Sequence, residues 1–70
     1  MSEKMERQLI QRLDIPDRLI NILEENKITT LGELSKRSKT DLIHLGMQQS
    51  DTKMVETELE LCGLWLKGSL

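Results

Sequence analysis

The apolar positions of this chain fall in short clusters at helical intervals, separated by charged and turn-forming residues. Met5, Leu9, Ile10 and Leu13 recur on one helical face with charges between them, which predicts a helix over residues 2–13. Pro16 then punctuates the chain. Asp14 is a suitable cap, and a proline near a helix start removes an N–H that would have no partner there. A second helix is therefore expected over residues 15–26, with Leu19, Ile22 and Leu23 turned inward.

Two start signals follow in quick succession. Thr30 with Glu33, and Ser38 with Asp41, have the spacing of capping boxes, in which each side chain satisfies the other residue's backbone N–H. The first opens a short helix over residues 31–36, and the second a turn carrying Leu42, Ile43 and Leu45. A polar loop over residues 46–50 comes next. Ser50 or Asp51 is expected to cap a last helix running to Cys62, with Val55, Leu59 and Cys62 on one face. Gly63 supplies the left-handed stop, and Leu64 folds back on the final turn. No strand pattern competes. The expected fold is all-α, a compact bundle of four to five short helices, with residues 1–13 as an N-terminal helix or arm and residues 14–70 as the domain itself.

Seventy residues bury only a limited core, so a cleft deep enough to dehydrate a substrate is not expected. With no Phe or Tyr, the core must be aliphatic, and Trp65 is the sole aromatic side chain. The parts for catalysis are missing: His44 and Cys62 are the single histidine and cysteine, and the glycines are scattered rather than gathered in a phosphate loop. One His and one Cys do not make a metal cluster. His44 reads as an exposed helix residue and Cys62 as a small buried hydrophobe. The expectation is a non-enzyme with no cofactor, no metal and no small-molecule substrate. No apolar run is long enough to span a membrane, and the N-terminus lacks the apolar core of a signal peptide. A free-standing cytoplasmic chain with no membrane partner is expected.

Charge changes this picture by its distribution. The formal net charge is −2, but residues 1–40 hold eight basic and seven acidic side chains, whereas residues 41–70 hold two basic and five acidic ones. A phosphate-binding domain is normally basic.

Four segments carry a family resemblance. Arg18-Leu19-Ile20-Asn21-Ile22-Leu23 looks like a helix opening Arg-Ser-x-Asn-x-Leu, and Asn26-Lys27-Ile28-Thr29-Thr30-Leu31-Gly32-Glu33-Leu34 resembles a segment of the form agI-x-T-vGeL. Ser38-Lys39-Thr40-Asp41-Leu42-Ile43 follows a T-x-x-eLL turn, and Leu59 to Leu66 with Gly63 resembles a closing L-x-x-x-GL-x-L. In this order, with one residue fewer in a loop, they make most of the chain from Leu13 onward similar to the C-terminal domain of the bacterial RNA polymerase alpha subunit, which contains a helix-hairpin-helix.

That resemblance implies a role in transcription. The family binds A-tract DNA in the minor groove and also touches activators and sigma factor. Its arginine and asparagine at the start of the first helix are matched by Arg18 and Asn21, and a narrow groove is where a guanidinium is most attracted. Its second DNA element, Gly-Lys-Lys-Ser before the last helix, is matched by Gln48-Gln49-Ser50-Asp51. Both lysines are gone, and Asp51 brings a negative charge toward the expected phosphate. Losing two phosphate cations lowers the salt dependence of binding by about two units of slope.

Two functions compete on these grounds. The first is a regulatory module of the bacterial or phage transcription machinery that acts through protein–protein contacts. Its candidate surfaces are the Lys36-Arg37-Lys39 basic cluster, the acidic Glu56 and Glu60 strip, and Trp65 as an interface anchor. Core packing is the other reading of Trp65. The alternative is minor-groove DNA binding through Arg18, Asn21, Gln48, Gln49, Ser50 and Lys53, weak without the lysines. Otherwise Arg18 would pair with Asp14 or Asp17, and Asn21 would be an exposed helix residue. A monomer or weak homodimer is expected, with the N-terminal helix as one route to pairing.

Overall fold

In the computed structural model, which describes residues 4–68, the chain folds as four α-helices packed around an aliphatic core. They are α1 (Asp17–Glu25), α2 (Leu31–Ser35), α3 (Lys39–His44) and α4 (Gln49–Leu61). Leu19, Leu23, Ile28, Leu31, Leu34, Leu42, Val55 and Leu59 are fully buried and form one cluster with Ile10, Ile20, Met47 and Leu66. Every helix contributes to that cluster, so the elements are held by shared burial rather than by length.

The short helices form because their ends are satisfied. Thr30 and Ser38 each accept from the N–H three residues on, at 3.2 Å from Glu33 and 3.1 Å from Asp41, and both acids return the bond to the cap's own N–H. Both predicted capping boxes are present. Three helices end alike, in paired backward bonds from the next two N–H groups. After α4, Gly63 donates to Glu60 and Leu64 to Leu59. After α3, Gly46 donates to Ile43 and Met47 to Leu42. After α1, Lys27 donates to Glu24 and Ile28 to Leu23. Gly63 and Gly46 take the required left-handed backbone at φ +84° and +112°, and Lys27 takes it at +62° without being glycine.

Two expectations are corrected at the N-terminal side. Residues 2 and 3 of the predicted first helix lie outside the described residues, and the remainder is not an α-helix. It makes two 3-10 turns, Met5–Arg7 and Ile10–Arg12, within an extended arm. Leu9 forms an isolated antiparallel bridge with Thr30, in which Ile10 N–H donates to Thr29 at 3.0 Å and Leu31 N–H to Gln8 at 2.9 Å. The arm thus exchanges helical hydrogen bonds for bonds to the loop before α2, and it seats Ile10 in the core. Asp14 does not cap α1, because the helix opens at Asp17 with Pro16 as the flanking residue. The Asp14 N–H instead donates to Glu58 on α4 at 3.2 Å.

Smaller differences follow from packing. Ile20 is buried where Ile22 was expected, and Ile22 lies partly buried at the core's edge. The last helix opens at Gln49, one position before Ser50, with Gln48 as the flanking residue and Asp51 accepting the Gln48 N–H at 3.1 Å. Leu66 is buried, and the Lys67 N–H donates to the Arg37 carbonyl at 2.9 Å, which pins the tail beside the α2–α3 corner.

Candidate binding surfaces

Arg18 stands in the first turn of α1, and Asp51 in the first turn of α4. The fold brings these turns together across 33 residues of sequence. The guanidinium grips the carboxylate with both arms, Nη1 to Oδ2 at 3.1 Å and Nη2 to Oδ1 at 2.8 Å. Such a paired geometry suits a planar guanidinium and fixes its direction. The Asp51 side chain is only 3% exposed, whereas that of Arg18 is 62% exposed. Hydrogen bonding from Arg18, followed by that from the Gln48 N–H, holds the Asp51 carboxyl below its usual range, and the same pair raises Arg18 further. The expected partners of Arg18, Asp14 and Asp17, are replaced by Asp51. Asp51 in turn is not an open negative charge facing a ligand, because it is buried and neutralised.

Around this pair lie the other residues assigned to DNA by resemblance. Asn21, one turn beyond Arg18, is exposed, and Gln48, Gln49 and Ser50 are exposed at the start of α4. Lys53 is also exposed, but it faces α3, sharing a shallow concavity with Lys39, Thr40, Ile43, Gln49 and Thr52. Arg18 and the α4 start are therefore brought together through Asp51, and Lys53 shares its concavity with Gln49 and α3.

The surfaces proposed for proteins are arranged differently from the linear sequence. Lys39 forms an ion pair with Glu56 at 3.0 Å, so the basic cluster and the acidic strip are joined. Lys36 and Arg37 remain exposed at the end of α2, and Glu60 is exposed on α4. Trp65 is 45% exposed rather than a core residue, and Leu61 nearby in sequence is 76% exposed. The aliphatic core closes without the tryptophan. Cys62 is half-buried against the core, and His44 is exposed in the last turn of α3.

Sequence reading missed a second concave region. One concavity of about 380 Å³ is lined by Lys27, Glu33, Lys36, Arg37 and Asp41. Another of about 510 Å³ runs between the arm and α2, with Lys4, Glu6, Arg7, Gly32, Glu33 and Lys36 among its walls. Glu33 and Lys36 belong to both. The signal for Lys27 was present in the sequence, since a helix ending at Asn26 puts the next residue where a left-handed backbone is common. The arm's contribution had no local signal.

The acids of this region are occupied. Glu33 Oε1 accepts from the N–H groups of Thr29 and Thr30 at 3.0 and 3.1 Å and from both hydroxyls. Those bonds, the Thr29 N–H first, depress its pKa. Asp41 is lowered chiefly by the Ser38 N–H, with Arg37 and Lys67 adding attraction. Among the described residues no buried side-chain polar atom lacks a partner, no three potential ligands gather as a metal site, and no helix is long and apolar enough to cross a membrane. Comparison with models of known protein families and with curated proteins finds no match.

Proposed function

We propose that this chain is a non-enzymatic regulatory module of the bacterial or phage transcription machinery that works through protein–protein contacts. The observation that carries the reading is the Arg18–Asp51 pair. The resemblance gives the position of Arg18 to minor-groove insertion, yet here its guanidinium is committed to a buried carboxylate. To enter a groove, Arg18 must leave Asp51 behind as a buried charge without its counter-ion, which is costly. The adjacent loop offers Gln48, Gln49 and Ser50 in place of phosphate-binding lysines, so little is gained in return. Meanwhile Trp65 and Arg37 are exposed side chains of the kinds that anchor protein interfaces, and Lys36 adds an exposed positive charge beside Arg37.

One feature favours the alternative, minor-groove DNA binding. Arg18 is still 62% exposed, and it stands beside the exposed start of α4. Two measurements separate the readings. Backbone amide shifts are followed while labelled protein is titrated with an A-tract duplex at low salt, and binding to immobilised purified bacterial RNA polymerase is measured in parallel. The expected result is an unchanged spectrum at Arg18, Asn21 and Gln48 to Ser50 together with saturable polymerase binding. Salt-sensitive shifts at those residues, with no polymerase binding, would replace the protein-binding reading with the DNA one.

A further inference from the structure

The two concavities that meet at Glu33 and Lys36 form one charged groove, with the docked arm as one wall and α2 and its flanking turns as the other. Lys4, Arg7, Lys27, Lys36 and Arg37 line it against Glu6, Glu33 and Asp41, five cations to three carboxylates. All five cations are exposed, and none makes an ion pair with another described residue; the ion pairs among the described residues, Arg18–Asp51 and Lys39–Glu56, lie outside this lining. Two of the three acids are already engaged, Glu33 by Thr29 and Thr30 and Asp41 by Ser38. Those bonds favour the charged form of both acids, so the lining keeps a formal surplus of two positive charges, which suits an anionic ligand.

Lys27 adds an independent sign. Its backbone sits at φ +62°, a conformation that costs an L-residue about 1–2 kcal/mol and that glycine holds freely at the ends of α3 and α4. A residue held against its backbone preference at the rim of a cavity suggests a use for its side chain.

We infer that this groove binds an acidic segment of a partner protein, with Arg37 gripping a carboxylate through its planar guanidinium and Lys27, Lys36, Arg7 and Lys4 flanking it. A peptide is favoured over a nucleic-acid backbone because Glu6, Glu33 and Asp41 share the lining with the five cations. A ligand with spaced acids avoids Glu6, Glu33 and Asp41, whereas an unbroken row of phosphates meets them. The inference deepens the protein-binding reading and rests on it for the source of the segment.

The test is a titration of labelled protein with a short Glu-rich peptide, its Gln-substituted counterpart, and an A-tract duplex. The acidic peptide is expected to shift the amides of Lys27 to Gly32 and of Ser35 to Arg37, with a response that weakens as salt rises, and the Gln peptide to shift none. Lys36→Glu with Arg37→Glu is expected to lower the peptide's affinity on the order of tenfold or more. Lys27→Gly removes one cation while relieving its backbone, so it should bind less tightly and yet fold more stably, a combination that misfolding does not produce. Absence of shifts with the acidic peptide, or tighter occupancy of the same groove by the duplex, overturns the inference. If polymerase binds wild type and the Lys36→Glu, Arg37→Glu variant equally, the groove assignment fails while the protein-binding reading stands. If the peptide occupies the groove but polymerase does not bind, the groove stands and the transcription assignment falls.

Discussion

At the scale of single residues, the chain shows two ways of closing a helix. Gly46 and Gly63 adopt positive φ, and an added Cβ at either would meet no neighbouring atom, so backbone preference alone selects glycine there. Lys27 makes the same pair of closing bonds, 2.9 Å from its own N–H to Glu24 and 2.9 Å from Ile28 to Leu23, without glycine's freedom. Relief of about 1–2 kcal/mol in the folded state is offset by the greater freedom glycine gives the unfolded chain, roughly 0.4–1 kcal/mol. Lys27→Gly is therefore expected to stabilise the fold by up to about 1.5 kcal/mol, read as a higher midpoint in urea with an unchanged slope. A lower midpoint would mean that the lysine side chain itself supports the fold.

At the scale of elements, the arm decides which parts of the molecule belong together. Gly32 lies in α2, where a Cβ would stand 2.9 Å from the Glu6 Cβ and 3.0 Å from the Glu6 carbonyl oxygen. Backbone cannot retreat as a side chain can, so Gly32→Ala must push the first 3-10 turn away. The variant is expected to lose hydrogen-exchange protection at Ile10 and Leu31, whose N–H groups form the bridge between arm and loop, while amides within α4 keep theirs. Uniform loss across α4 as well would show that the arm is part of one cooperative unit. This contrast also explains what was legible in the sequence. Thr30 with Glu33 and Ser38 with Asp41 declared the starts of α2 and α3 because their bonds span three residues, and Gly63 declared the end of α4 for the same local reason. The arm misled, since Met5, Leu9, Ile10 and Leu13 have helical spacing. Their outcome is set instead by bonds from Gln8 and Ile10 to residues about twenty positions away, and Leu9 is left 57% exposed. Of the candidate surfaces, the neighbourhood of Arg18 and the α4 start followed from resemblance, but its internal partner Asp51 is 33 residues distant and no local pattern announces it.

At the scale of the whole molecule, the radius of gyration of 11.0 Å matches the value of about 11 Å expected of a compact chain this long. A core of aliphatic side chains in a domain this small leaves a stability margin on the order of 3–5 kcal/mol, so a few shared polar contacts weigh heavily. Three of those contacts hold carboxylates whose pKa values are depressed in the fold: Glu33 by the Thr29 and Thr30 groups, Asp41 by Ser38, and Asp51 by Arg18 and Gln48. Because the folded values lie below the ordinary ones of 4.5 for glutamate and 3.8 for aspartate, the unfolded chain takes up protons first as pH falls. The stabilisation is complete well above those ordinary values. It declines as pH drops through them and is gone once pH passes below the depressed folded values. Arg18, whose pKa is raised, stays charged throughout and does not set the window. The urea midpoint is therefore expected to be flat near neutrality and to fall steeply below about pH 4.5. Asp51→Asn should lower the midpoint at neutral pH, since it removes the buried counter-charge of Arg18, and should flatten part of the acid slope. An acid slope identical to wild type in that variant would show that Asp51 adds nothing to the acid sensitivity of the fold, which then rests on other carboxylates such as Glu33 and Asp41 at the two helix caps.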